Sequence, residues 1–367
     1  MILIRNADLY NPQHIGLRDI LVAGGQIVAI GEGLDDFPVD VERIDAAGGI
    51  VHPGFIDGHV HAIGGGGEAG MISRVPPLSE GEVAQAAVTG IVGVLGTDGR
   101  TRTVRDLLAK IKGYREWGLS AWALTGSYEL PSQTITGSVG DDIALIEEII
   151  GVKVAISDHR CSIPTTEELT RLAGEARVAG LLAGKCGIVH VHVGSFRTAI
   201  DQLFQIVTDT PLPVSCFYPT HMGGHLEAAA SWLEIGGHVD ITCSEKAVGQ
   251  VLSLVERHPE GITLSTDSNG SFPKWNQAKE IVGMDRGRIS TLDETVSSLI
   301  SQGLERGLAY NLVTSSPARW MRLAGKGRIE VGYDADIVIR DGQKVRYVIS
   351  RGQVLVHEGR VKSPMYS

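Results

Sequence analysis

The sequence has 367 residues, with 33 Lys and Arg against 43 Asp and Glu, and a formal net charge of −10. This length suits a barrel of roughly 250 residues together with a smaller unit. The acidic balance and the lack of a basic run argue against a surface for nucleic acid or anionic membrane. We therefore expect neither nucleic acid nor membrane among its partners.

Short β-strands are predicted near both the N-terminal and the C-terminal end. Residues 17–31 and residues 334–360 both contain short β-rich runs broken by Gly-Gly, Asp-Gly or Arg-Gly turn signals. Neither segment alone could bury a sheet face. We therefore predict a small β-sandwich domain formed from both termini, residues 1–52 and 327–367.

Residues 53–326 have another rhythm, in which apolar β-type runs alternate with helix-like segments. Such alternation predicts a parallel sheet, and eight runs predict an α/β fold, a (β/α)8 TIM barrel. An open doubly wound sheet is the alternative, but its dinucleotide-binding form needs a GxGxxG pattern that the GGGG at 64–67 lacks. The eight runs are 55–61, 90–98, 119–128, 151–158, 187–194, 214–221, 238–243 and 261–270.

Three of the helix-like segments are clear, at 103–118, 166–184 and 245–258. In the last, apolar residues stand at spacings of i, i+3, i+4 and i+7, which places them on one helical face. These residues are Val248, Val251, Leu252 and Val255.

A pair of histidines, His59 and His61, closes the first run. Strand positions i and i+2 face the same side, and active sites of this fold gather at the carboxyl ends of the strands. The pair could therefore direct two imidazoles at one metal. An HxH pair alone also occurs by chance.

Three more candidate ligands lie at corresponding places: His192 ends the fifth run, His221 ends the sixth, and Asp267 lies in the eighth. Each has an ordinary alternative, since His192 and its neighbour His190 could be hydrogen-bonded core histidines and Asp267 a turn residue. Their joint placement around one barrel mouth favours a metal centre, because imidazole and carboxylate suit Zn²⁺ and similar ions.

Lys153 stands inside the apolar run GVKVAISD. Burial of an ammonium is costly and lowers its pKa, which frees the neutral amine. A neutral amine can react with CO2 to give a carbamate, an anion able to bridge two cations. The alternative is a lysine whose head reaches out to solvent, and the residues alone do not decide between them.

Seven stretches carry a resemblance to a known family. With them, the chain resembles the amidohydrolase superfamily and, within it, the isoaspartyl (β-aspartyl) dipeptidases, over essentially its whole length. The stretches are GFIDGHVHAIGGGGEAG (54–70), LGTDG (95–99), SAWALTGSY (120–128), TITGSV (134–139), IGVKVAISDHR (150–160), PTHMG (219–223) and LSTDSNGS (264–271).

The resemblance implies a binuclear metal-dependent amidohydrolase with two divalent ions, zinc being expected. The HxH pair would hold one ion, completed by the aspartate, and the two later histidines would hold the other. A carbamate on the lysine, derived from CO2, would bridge them. The implied ligands are His59, His61, Lys153, His192, His221 and Asp267.

The resemblance also implies roles in substrate binding and catalysis. Glu68 would meet the substrate α-amino group, and Tyr128 would support the developing oxyanion. Asp267 would accept the proton of a hydroxide shared by the metals and pass it to the leaving amine. The implied substrate contacts are Glu68, Thr97, Tyr128, Arg160 and Ser271.

The chain departs from the family pattern at Gly224, where the family has an arginine three residues after the sixth-strand histidine. Arg160 would then lack its usual arginine neighbour, and selection for a free carboxylate on the leaving amino acid should weaken. His225 is a candidate replacement.

We therefore predict a metallopeptidase that hydrolyses β-aspartyl dipeptides. The alternatives are hydrolysis of another C–N bond, in a cyclic amide such as a dihydropyrimidine or dihydroorotate or in an N-acyl amino acid, and an inactive barrel that serves as a scaffold. Glu68 favours a substrate with a free α-amine, and an inactive barrel should have lost ligands that are all present here.

The family also implies a homo-oligomer. Four widely spaced cysteines without a CxxC pair, no visible secretion signal and no long apolar window make a cytoplasmic location the expectation.

Overall fold

A computed structural model describes residues 1–34, 40–276 and 281–362. Strands β1 to β19 in chain order are Ile2–Asn11, Gln13–Ala23, Gln26–Gly31, Glu42–Asp45, Ile50–Pro53, Phe55–Val60, Val88–Gly93, Ser120–Gly126, Ile149–Ile156, Ile188–Val193, Phe217–Thr220, Val239–Thr242, Ile262–Ser265, Ser271–Trp275, Ile281–Arg286, Ile337–Asp341, Lys344–Ser350, Gln353–His357 and Arg360–Val361. Helices α1 to α10 are Glu80–Gln85, Val104–Trp117, Val139–Leu145, Thr166–Ala183, Asp201–Asp209, Leu226–Glu234, Ala247–Val255, Thr291–Ser301, Arg306–Asn311 and Ser315–Trp320.

The three clear helix predictions correspond to α2, α4 and α7. Thr103 and Thr165 begin the first two, and each accepts a hydrogen bond from the backbone N–H three residues on, which fixes where the helix starts. In α7, Val248, Val251 and Val255 are buried, as the periodicity predicted. Within the described residues, none of the helices is long and apolar enough to cross a membrane.

Eight parallel strands correspond to the eight predicted runs. Strands β6 to β11 form one curled sheet in the order β11-β10-β9-β8-β7-β6, and β12 pairs with β13. The backbone N–H of His61, just after β6, donates to the carbonyl of Ser268, just after β13, at 2.8 Å. The β12–β13 pair therefore meets the β6 edge of the larger sheet through this hydrogen bond.

The strands of the two chain ends form one hydrogen-bonded sheet, in which β5 pairs with β16. The sequence analysis expected a sandwich, and the nine strands are instead continuous, with the edge strand β3 folding back to residues 332–335. This fold encloses a separate apolar core that includes Ile4, Leu9, Ile337 and Ile349.

The strand pair β14 and β15 was not predicted. The eighth run ends as a strand at Ser265, and an antiparallel hairpin of β14 and β15 follows it. The hairpin starts at Ser271, so it begins at the carboxyl ends of the parallel strands, where the predicted site residues lie.

Candidate active site

The six predicted metal ligands gather at the carboxyl ends of the parallel strands. His59 lies in β6, Lys153 in β9 and His192 in β10, while the other three follow β6, β11 and β13 directly or within two residues. The ring centroids of His59 and His221 are 5.2 Å apart, and those of His192 and His221 are 4.5 Å apart. The six side chains predicted from the sequence therefore lie close together in the structure.

His59, His61 and Asp267 form what we call the first half of the cluster. One ligand atom from each lies within 4.8 Å of the others. Asp267 Oδ1 is 2.9 Å from His61 Nε2 and 3.4 Å from His59 Nε2. Asp267 has a left-handed backbone, with φ of 52°, a conformation that is strained for a residue other than glycine and is concentrated at functional sites.

Lys153 is fully buried beside the first half. Its Nζ is 3.3 Å from His59 Nε2 and 3.4 Å from Nδ1 of His190, a histidine that the sequence analysis treated only as a core residue. Burial lowers the pKa of Lys153 to about 7, although the charges of Asp267 and Asp240 oppose that shift. The lysine head does not reach solvent, so the alternative of a solvent-reaching head was wrong.

His192 and His221 form the second half of the cluster. Both ring nitrogens of His192 have protein partners, since Nδ1 is 2.6 Å from Tyr128 Oη and Nε2 is 2.9 Å from Asp158 Oδ2. His221 Nδ1 is 2.6 Å from Thr242 Oγ1, and His221 too has a left-handed backbone, with φ of 67°. Each histidine of this half is thus oriented by a neighbour outside the cluster.

The side chains fit a divalent metal. His61 Nδ1 and His221 Nε2 are buried nitrogens without a hydrogen-bond partner, which is rare in proteins. Burial also holds the pKa values of His59 and His221 well below their usual range, so these imidazoles are neutral, the form that binds metal. Neutral imidazoles, a carboxylate and a neutral amine are a donor set for Zn²⁺ or a similar ion.

Behind the cluster lies a buried polar network that the sequence analysis missed. Thr220 Oγ1 is 3.3 Å from His59 Nδ1 and donates to Asp240 at 2.7 Å, and Asp240 also accepts from Thr263 and Ser265. This network fixes the orientation of the His59 ring, as partners of ligand histidines commonly do. Its signal was available, because Asp240 is a charged residue inside an apolar run, just as Lys153 is.

Asp158 is a second residue that sequence reasoning missed. It accepts hydrogen bonds from Nε and Nη2 of Arg160, at 3.0 and 2.7 Å, as well as facing His192. Burial alone would raise the pKa of Asp158, but the hydrogen bonds with His192 and Arg160 outweigh it and hold the pKa well below its usual range. Asp158 is therefore ionised and fixes both side chains.

A cavity of about 870 Å³ opens onto the cluster, and all five predicted substrate contacts line it. Glu68 Oε1 accepts from Ser271 Oγ at 2.7 Å and lies 3.4 Å from Arg160 Nη1. Glu68 Oε2 is buried without a hydrogen-bond partner. Tyr128 and Thr97 also line the cavity. The substrate roles of all five residues stay predictions.

The position that departs from the family pattern, Gly224, lies in a short 3₁₀ turn after β11 and is exposed. A Cβ added there would meet nothing within 4 Å. His225, the candidate replacement for the missing arginine, uses its Nε2 in a 2.8 Å hydrogen bond to the carbonyl of Gly194. His225 does not line the cavity.

Comparisons with known proteins bear on the family and the fold. The sequence model of the amidohydrolase family matches residues 50–366. The structure of a β-aspartyl dipeptidase from Fervidobacterium islandicum AW-1, in complex with β-Asp-Leu dipeptide, is similar with a TM-score of 0.95 and 37% identity over 100% of both chains.

More distant relatives share the fold or part of the sequence. A D-hydantoinase from a Thermus species has a TM-score of 0.72 at 18% identity, over 99% of this chain and 97% of its own, which shows a shared fold alone. A deacetylase from Agrobacterium fabrum is 26% identical over 357 residues, 88% of this chain and 78% of its own length.

Proposed function

Because this chain belongs to the amidohydrolase family and is a hydrolytic enzyme of that superfamily, we propose that it hydrolyses β-aspartyl (isoaspartyl) dipeptides. The observation that carries the proposal is Glu68, which lines the cavity with a buried and unpartnered carboxylate oxygen. An unpaired buried carboxylate oxygen is costly, and a substrate ammonium would satisfy it with a charge-assisted hydrogen bond. The full-length likeness to a β-aspartyl dipeptidase supports the same substrate.

The proposal includes two divalent ions, with zinc expected, and a carbamate on Lys153. The first half would hold one ion, the second half the other, and the carbamate would link them. Such ions, when bound, supply an activated water and stabilise negative charge on the amide oxygen. Lys153 is fully buried and its pKa is lowered to about 7, so a neutral amine is available near neutral pH, which supports the carbamate.

The other steps are assigned to side chains of this chain. Burial raises the pKa of Tyr128 well above its usual value, so the phenol keeps its proton. Its hydroxyl lies 2.6 Å from His192 Nδ1, so when that nitrogen binds a metal instead, the phenol is free to donate to the carbonyl oxygen as negative charge develops. Burial alone would raise the pKa of Asp267, but the hydrogen bond with His61 and the charges of His61, His221 and Lys153 together lower it. Asp267 is thus an ionised carboxylate able to accept a proton and deliver it to the leaving amine.

The proposal extends to architecture. The eight parallel strands would form a closed (β/α)8 barrel over residues 53–326, with residues 1–52 and 327–367 as the small domain. The hydrogen bond between His61 and Ser268 and the packing of β11 beside β12 support this closure. A homo-oligomer is proposed from the family resemblance.

The test is a substrate panel on protein reconstituted with Zn²⁺, Mn²⁺ or Co²⁺. We expect release of leucine from β-Asp-Leu, and little from the α-linked isomer, because that isomer moves the scissile carbonyl relative to the amine that Glu68 would hold. Turnover of dihydroorotate or an N-acetyl amino acid, without turnover of β-Asp-Leu, would instead support the alternative C–N hydrolysis.

A further inference from the structure

The cavity is short of positive charge for the substrate that the proposed function gives it, and the inference that follows rests on that function. A β-aspartyl dipeptide carries one ammonium and two carboxylates, one on the aspartyl α-carbon and one on the leaving amino acid. Among the described residues that line the cavity, Arg160 is the single lysine or arginine side chain. Within the described lining, one of the two carboxylates therefore has no guanidinium of its own.

The charge of Arg160 is already shared with the protein. Asp158 occupies its Nε and Nη2, and Glu68 lies 3.4 Å from its Nη1. The two N–H groups of Nη1 and the second N–H of Nη2 are left to face a ligand. They form one edge of the guanidinium, which can hold one carboxylate but cannot hold two carboxylates in separate places.

The position of Arg160 decides which carboxylate it serves. The ammonium and the α-carboxylate of the aspartyl residue are attached to the same carbon, so their protein partners must be neighbours. Glu68 and Arg160 are such neighbours, since both line the cavity and Arg160 Nη1 lies 3.4 Å from Glu68 Oε1. When Glu68 holds the ammonium, the guanidinium therefore lies beside the aspartyl α-carboxylate.

The rest of the lining that the structure describes offers the leaving amino acid no lysine or arginine. It includes Val193, Gly194, Ser195 and Phe272. His159 also lines the cavity, but its side chain is 80% exposed and its Nδ1 lies 3.6 Å from Asp158 Oδ1. Charge pairs at such exposed positions contribute little to binding.

We propose that this enzyme recognises the N-terminal β-aspartyl residue through Glu68 and Arg160 and does not select for a free carboxylate on the leaving side. Its substrate class then extends beyond dipeptides. It includes C-terminal amides and longer peptides that begin with a β-aspartyl residue, which the 870 Å³ cavity has room to admit.

The experiment compares kcat/KM for β-Asp-Leu, β-Asp-Leu-amide and β-Asp-Leu-Gly on the metal-loaded enzyme. A carboxylate clamp contributes about 10–150-fold, so without one the three values should agree within about tenfold. A preference for the free dipeptide of more than about tenfold overturns the inference while the proposed function stands. If none of the three peptides is hydrolysed, the proposed function itself is overturned.

A gain-of-function variant tests the location of the uncharged side. Gly224 is exposed and open to added atoms, so Gly224→Arg should fold. The guanidinium would stand at the rim formed by the turn after β11, three residues beyond His221, which lines the cavity. We expect it to create a preference for β-Asp-Leu over its amide of about tenfold or more, whereas the neutral control Gly224→Gln creates none. Equal ratios in both variants would overturn the placement of the leaving group at this rim.

Discussion

The two halves of the candidate metal centre are held in different ways. In the first half, one ligand atom from each of His59, His61 and Asp267 already lies within 4.8 Å of the others. In the second half, His192 and His221 are oriented by hydrogen bonds to Tyr128, Asp158 and Thr242. The ligand atoms of the first half are thus already close together, with Thr220 as an outside partner of His59, whereas both histidines of the second half are held by partners outside the cluster.

The largest effect should come from Lys153, whose proposed carbamate would link the halves. Lys153→Ala removes the proposed bridge, and because bound metals supply several kcal/mol of transition-state stabilisation, kcat/KM for β-Asp-Leu should fall by about 10³-fold or more. Elemental analysis should show fewer than two ions per chain. Added short carboxylic acids should restore part of both, and a variant with two ions and native activity would disprove the bridge.

The second effect concerns the first half alone. Asp267→Asn keeps the shape of the side chain but removes the proton acceptor, so kcat should fall by about 10²–10⁴-fold with metal content unchanged. The measurements are steady-state kinetics and metal analysis on the same sample. Near-native kcat would leave Asp267 as a ligand or structural residue only.

The third prediction concerns Glu68 and tests whether this residue binds the substrate ammonium. Glu68→Gln should lower kcat/KM for β-Asp-Leu by about 10–100-fold, because the ammonium loses its charged partner. The matched substrate is the same peptide with an acetylated amine, which should be affected far less. An equal loss on both peptides would assign Glu68 to folding of the cavity.

The smallest effects sharpen the difference between the halves. Asp158→Asn and Thr242→Val each remove a hydrogen-bond partner of a second-half histidine. Each should lower the affinity for one of the two proposed metal ions by about 10–100-fold, with near-native kcat at saturating metal. Thr220→Val is the matched variant for the first half. It should cost less, since His59 also contacts Lys153 and Asp267. Competition with a chelator measures all three.

Features with a simple periodicity were predictable from the sequence. The HxH spacing placed His59 and His61 on one face, and a lysine inside an apolar run made a buried amine at Lys153 one of two alternatives, the one that the structure shows. These succeed because strand alternation and the cost of burying charge are local rules that do not need the tertiary structure.

The partners of those residues were not predictable in the same way. Asp158 follows a strand in SDHR, where an aspartate is an ordinary turn residue, and nothing local shows that it faces His192 in the next strand. Thr220 and Thr242 are common strand residues whose hydroxyl groups matter only through their neighbours. The β14–β15 hairpin lacks a turn signal of the strongest kind and so was missed.

The terminal sheet has a consequence for the order of folding. β5 pairs with β16 in a register that joins His52 to Val338, two residues separated by nearly the whole chain. Contacts so distant in sequence form late, since the entropy of closing the loop is lost before they form. During synthesis, the edge of β5 that pairs with β16 therefore stays unpaired until β16 leaves the ribosome. An unpaired strand edge of this kind exposes the nascent chain to aggregation.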